Sequence, residues 1–332
     1  MRIVAGRVPR ILLFAGLFAL LGAGALWRLG AGDMDIAPAM VLRILFRGGD
    51  SGAVPQEVLA VRSIRLPRFL ASFGGGASLA LSGAVLQGIL ANPLAEPYTL
   101  GIAAGAALGA SAGFWLGGIW IPAAAFAGAL AALALCFLLS WRSGGCSPVH
   151  MVLAGIVVGS VLSAGVTLLK ALAGERASSI VLWLMGSFSG ISMGGALSVC
   201  GAAALLLAAG EWWGRDLDAI SLGDGRARFL GVDEKRVSVV LLLLASLATA
   251  LTVASCGIIG FVGLVGPHLL RMALGPSHRV LLAASFLGGG LLLTAADGVA
   301  RELGELPVGV ITALAGGPVF CWILTRERRR GE

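Results

Sequence analysis

The chain has 332 residues, 58% hydrophobic and 12% charged, with a mean hydropathy of +0.96 and a formal net charge of +7. A soluble domain carries about 25% charged residues, so this chain cannot coat soluble globules, and its apolar content excludes disorder. A polytopic helical membrane protein fits, and its positive balance then reports topology rather than nucleic-acid binding.

A span needs about 20 apolar residues, slightly fewer when packed in protein. Ten runs qualify, roughly 11–29, 68–90, 98–117, 119–140, 149–171, 193–213, 236–256, 258–274, 280–300 and 308–325. The first has a basic start (Arg2, Arg7, Arg10) and an Ala23-Gly24-Ala25 stretch that mimics a cleavage site. Its apolar core exceeds that of a signal peptide, so it reads as a retained anchor. The loop over 30–67 holds Asp33, Asp35, Asp50 and Glu57, and Arg43, Arg47, Arg62 and Arg65 run on to Arg68 at the head of span two. The second span carries Gly75, Leu79 and Gly83 beside Gly76, Ala80 and Ala84, with polar Gln87 placed to bond between helices. The third has Gly101, Gly105, Gly109, Gly113 and Gly117 at a spacing of four, predicting one helical face for close packing. The fifth has Gly155, Gly159 and Ser163.

A short apolar helix is predicted near 178–188, holding Trp183 and Met185 and not crossing. The eighth span is short and broken by Gly260, Gly263, Gly266 and Pro267. Broken backbone is tolerated at membrane depth only inside protein or beside a cavity. In the ninth, Asp297 precedes Arg301 by four residues. It reads either as a functional ionisable group or as half of an i,i+4 pair. Asn92, Ser160 and Ser163 join Gln87 and Asp297 as polar candidates for a pathway or a structural role. With the N-terminus inside, 15 of the arginines and lysines fall on the inner face and 9 on the outer, in the positive-inside direction.

Chemistry-bearing motifs are missing. No GxxxxGK[ST] phosphate loop, GxSxG elbow or HExxH is present, and neither Lys170 nor Lys235 follows a glycine-rich run. The cysteines (136, 146, 200, 256 and 321) form no CxxC, and His150, His268 and His278 show no ligand spacing with them. No catalytic residue, metal site or cofactor is therefore expected in the chain.

Three ordered segments carry a resemblance. Arg65-Leu66-Pro67-Arg68 leads through Gly83 and Gln87 to Asn92-Pro93-Leu94-Ala95-Glu96-Pro97 and Leu100-Gly101. Leu222-Gly223, Ala227 and Leu230-Gly231 follow in a polar loop. Gly257 to His268 then precedes His278-Arg279, Asp297, Glu305-Leu306-Pro307-Val308-Gly309 and Gly317-Pro318-Val319-Phe320. From about residue 60 onward the chain resembles the FecCD family of type II ABC importer permeases. The resemblance implies an all-α permease domain over 1–332, with ten transmembrane helices in inverted five-helix halves, about 1–170 and 190–325. It implies two copies per pore in the bacterial inner membrane, with both termini cytoplasmic. Two ATPase subunits holding ATP and Mg would lie inside, and a periplasmic binding protein outside.

The cargo class would be metal chelates, ferric siderophore ranked first and cobalamin or haem as alternatives. The competing reading is an ion-coupled secondary transporter. The loop over 214–235 is the expected coupling element, with Leu222, Gly223, Arg226, Ala227, Phe229, Leu230 and Gly231 offering an apolar ridge broken by glycines. Arg65, Arg68 and Arg301 match family positions that receive acidic residues of the binding protein.

Overall fold

The computed structural model describes residues 10–331 apart from 33, 48–51, 53, 119, 143–147 and 224. Arg2, Arg7, Asp33, Asp50 and Cys146 lie outside the described residues. Among the described residues the chain is helical, without strands. The helices are α1 (Arg10–Gly30), α2 (Pro38–Arg47), α3 (Pro55–Leu59), α4 (Leu66–Ile89), α5 (Ile102–Trp115), α6 (Ile121–Arg142), α7 (Pro148–Leu172) and α8 (Ala177–Leu184). They continue as α9 (Met193–Trp212), α10 (Gly214–Ile220), α11 (Arg226–Phe229), α12 (Glu234–Cys256), α13 (Val262–Leu274), α14 (His278–Glu302) and α15 (Val308–Gly331). Seven of these, α1, α4, α6, α7, α9, α12 and α14, are long and apolar enough to cross a membrane. α5, α13 and the apolar part of α15 are shorter, which accounts for all ten expected spans.

Helix α4 is the centre of the bundle, buried almost throughout from Ala71 to Ile89 and packed against α9, α12, α13 and α14. Its small residues make this possible. A Cβ on Gly76 would run into the Gly289 carbonyl of α14, and one on Gly83 into the Gly263 carbonyl of α13. One on Gly74 would sit 2.7 Å from Cys200 Sγ of α9. Gly83→Ala is therefore expected to push α4 from α13 and to cost about 1–3 kcal/mol, as overpacking does. Thermal unfolding of the purified chain reads this directly, and an unchanged midpoint would mean that the contact is slack.

The five-glycine face predicted for the third span needs correction. Gly105 and Gly109 do bring α5 onto α6, where added carbons would strike the carbonyls of Gly128 and Ala124, and Gly113 makes ordinary contact at 3.5 Å. Gly101 and Gly117 lie outside the helix with φ of +74° and +116°. Pro97 opens a 3-10 turn over Pro97–Leu100, and Gly101 supplies the left-handed residue that joins this turn to α5.

The eighth span is broken only at its start, beside Gly260, whereas Gly263, Gly266 and Pro267 lie within the continuous helix α13. Residues 257–261 are non-helical, and Phe261 has φ +68°. The chain's single tyrosine, Tyr98, donates its hydroxyl to the Ile259 carbonyl at 2.9 Å and accepts from the Ile259 N–H at 3.2 Å. The end of α8 is stitched similarly, with Val308 N–H on the Gly186 carbonyl and Gly309 N–H on that of Met185. Irregular backbone in an apolar setting persists only when protein groups satisfy it.

Candidate functional site

At one end of the bundle, the C-terminus of α1 meets the head of α4 and the last turns of α14. Four arginines and two carboxylates gather there. Asp297 is buried in α14 and ion-paired to Arg28 of α1 and to Arg68 of α4, the latter at 2.9 Å. Arg68 also reaches Glu305 at 2.7 Å. Of the two readings of Asp297, the i,i+4 pair with Arg301 does not form. Asp297 faces α1 and α4, while Arg301 donates to the Ala31 carbonyl and approaches Glu305 at 3.8 Å.

Arg65 also differs from expectation. It is buried, with donors on the carbonyls of Leu29 (2.9 Å), Gly30 (2.7 Å) and Met34 (2.6 Å). The last carbonyls of a helix lack intrahelical partners, and a guanidinium supplies them. Arg65 thus caps α1 and is no part of an exposed docking face in this chain. Gly32, with φ +149°, packs closely beside both side chains, since a Cβ there would meet Arg301 Nη2 and lie 3.0 Å from Arg65 Nη2.

A cleft of about 690 Å³ opens along α7, against α5 and the end of α8. Ser160, Ser163, Thr167 and Lys170 line it from α7, at spacings that put all four on one helical face. Tyr98 and Thr99 line it opposite. Among the described residues no acidic side chain is on the wall, and Lys170 is its one charge. Of the other polar candidates, none reaches this cleft. Gln87 bonds across from α4 to the carbonyls of Gly263 and Leu264 and to that of Ala95, as an interhelical tie. Asn92 closes a turn by accepting from Leu94 N–H at 2.9 Å. Sequence reasoning missed Tyr98 and Lys170, although a lone tyrosine after a proline and a lone lysine at a span end were visible signals.

The opposite end carries α10 and α11. Gly223, Gly225 and Gly231 all adopt positive φ and bound the short helices. Ala227 is buried, whereas Leu222, Leu230 and Phe229 stay 55%, 64% and 91% exposed. Among the described residues nothing covers these apolar tips, and Leu222 and Leu230 line a groove of about 580 Å³ shared with Leu274 and Pro276. Arg226 is exposed beside them. Asp218 of α10 latches this element to α14 by accepting both the backbone N–H and the Nδ1 of His278 at 2.7 Å. Although burial opposes its charge, these hydrogen bonds hold the Asp218 carboxyl below the usual carboxylate range.

Ten apolar helices, a one-sided polar cleft and an uncovered apolar ridge at one end define a membrane permease subunit. The FecCD transport family profile matches residues 17–326. Similar proteins include the cobalamin import system permease protein BtuC of Halobacterium salinarum, 40% identical over 88% of this chain and 80% of that one. The hemin transport system permease protein HmuU of Yersinia pestis is 37% identical over 98% of both. Among solved structures, an inward-facing ABC transporter assigned to the metal-chelate type superposes with TM-score 0.84 and 32% identity, covering 95% of this chain and 99% of that one. The chain belongs to the FecCD transport family. It is a permease subunit of an ABC importer for metal chelates, with the type II fold. Nothing in these relatives supports the ion-coupled carrier.

Proposed function

We propose that two copies of this chain form one pore that passes a ferric chelate from periplasm to cytoplasm, driven by two separate ATPase subunits. The polar stripe of α7 carries this reading. Ser160, Ser163, Thr167 and Lys170 line a cleft that is open on one side. A polar wall open to lipid is unfavourable, and a second copy would close it into a pathway. A ferric siderophore ranks first as cargo, with haem and cobalamin as alternatives supported by the relatives' own substrates. ATP and Mg belong to the ATPase subunits, in keeping with the missing phosphate-loop motif. The arginine distribution supports a bacterial inner-membrane orientation with both termini cytoplasmic, which turns α10 and α11 toward the ATPases.

The opposite end then faces the binding protein. The ion-paired cluster there holds Arg28, Arg68 and Arg301 against Asp297 and Glu305, and Arg301 is the most exposed of these cations, available to an acidic residue of a partner. Arg301 is the best placed of the expected docking residues, being half-buried and held only by Ala31 and Glu305. Arg68 stands behind it as the residue that orders Glu305. Arg301→Glu is expected to slow association of the cognate binding protein and to flatten its salt dependence. Association kinetics at several salt concentrations test this, and an unchanged salt slope would confine the cluster to holding α1.

A further inference from the structure

At the α10 end of the bundle, a recess of about 240 Å³ lies between the last turn of α4, residues 91–93, Ser221 and the α13–α14 turn. Three of the side chains on its wall carry buried polar atoms without a hydrogen-bond partner: Gln87 Oε1, Arg271 Nε and Nη2, and His278 Nε2. Gln87 and His278 are only 1% and 2% exposed. Each is fixed by its other polar atom. The Gln87 amide nitrogen donates to the Ala95, Gly263 and Leu264 carbonyls, leaving its oxygen unmet. His278 Nδ1 lies 2.7 Å from Asp218 Oδ1, and a carboxylate only accepts. Nδ1 is thus taken by that carboxylate, and Nε2 is left without a partner. Glycine at position 88 leaves room beside that nitrogen, since a Cβ there would sit 2.7 Å from it.

Buried polar atoms without partners are costly, and each calls for one. The Nε and Nη2 edge of a guanidinium is the fork that meets two oxygens of an oxyanion. The Gln87 Oε1 acceptor beside that fork requires a ligand that also donates. A carboxylate or a sulfate only accepts, whereas a phosphate that retains a P–OH does both. We propose that this recess binds a protonated phosphate group, two oxygens on the Arg271 edge and the P–OH donated to Gln87 Oε1, with His278 Nε2 beside it. Inorganic phosphate and a phosphomonoester lipid headgroup share this chemistry.

The test uses the full chain in phosphatidylcholine nanodiscs near neutral pH, with labelled inorganic phosphate as probe and sulfate as competitor. A single saturable site is expected, with sulfate the weaker competitor. Arg271→Met should weaken phosphate binding at least about tenfold, the scale of a lost charge-assisted fork. Because it removes a buried unpaired charge, it should unfold no earlier than the parent, and thermal unfolding confirms that the variant is folded. Arg271→Lys, which keeps the charge without the fork, should fall between the two. Discs containing phosphatidic acid separate the sources: loss of labelled phosphate there, sensitive to Arg271→Met, points to a headgroup, and retention points to free phosphate. Absence of saturable binding, equal affinity in Arg271→Met, or equal competition by sulfate would overturn the site.

Discussion

Replacing Asp297 by alanine is expected to destabilise the folded permease by about 3–5 kcal/mol, the cost of removing one partner from a buried ion pair. The carboxylate is buried and holds Arg28 and Arg68 together. Without it, Arg28 is left buried with no anion, and Arg68 keeps only Glu305. Asp297→Asn should cost less, because it retains an acceptor. Exchanging both Arg28 and Asp297 for Met and Leu should also cost less than the single alanine change, since no lone charge remains on α1. Denaturant unfolding of the solubilised chain compares the three. A loss under about 1 kcal/mol for Asp297→Ala, typical of exposed pairs, would show that solvent reaches the cluster.

Leu222→Asp, Phe229→Asp and Leu230→Asp should each detach the ATPase subunits while leaving membrane insertion intact. The three side chains are exposed in the isolated chain, so a charge there disturbs no internal packing. Each apolar tip contributes about 1.5–3 kcal/mol when a partner covers it. An unpaired carboxylate in the same contact opposes binding by several kcal/mol more. A weakening of about a hundredfold or more is therefore expected in pull-down with the ATPase, with uptake lost in parallel. Unchanged association and uptake in all three variants would reduce the ridge to a solvated loop.

The spans were legible because an apolar run of about 20 residues has few fates other than crossing a membrane. The exposed apolar tips of α10 and α11 were legible for a related reason, since Leu222, Phe229 and Leu230 are apolar residues stranded among charges. What stayed hidden depends on residues distant in the chain. Asp297 pairs with Arg28 and Arg68, which stand 269 and 229 positions away, whereas its sequence neighbour Arg301 turns to Ala31. The buried cap made by Arg65 was hidden likewise, because an arginine heading a span reads the same whether it meets lipid headgroups, a partner or its own backbone. The glycine period of span three located a close contact but not its extent. Local turn chemistry at Pro97 and Gly101 placed the start of α5 after the first glycine of the series.

The central claim is that this chain is the passive pore of an ATP-driven importer. Uptake of a ferric chelate into proteoliposomes containing the chain, its cognate ATPase and its binding protein tests that claim most directly. Accumulation is expected when ATP and Mg are present on the ATPase side with no ion gradient. None is expected from an imposed proton or sodium gradient without ATP. Accumulation driven by such a gradient in vesicles that lack the ATPase would contradict the account.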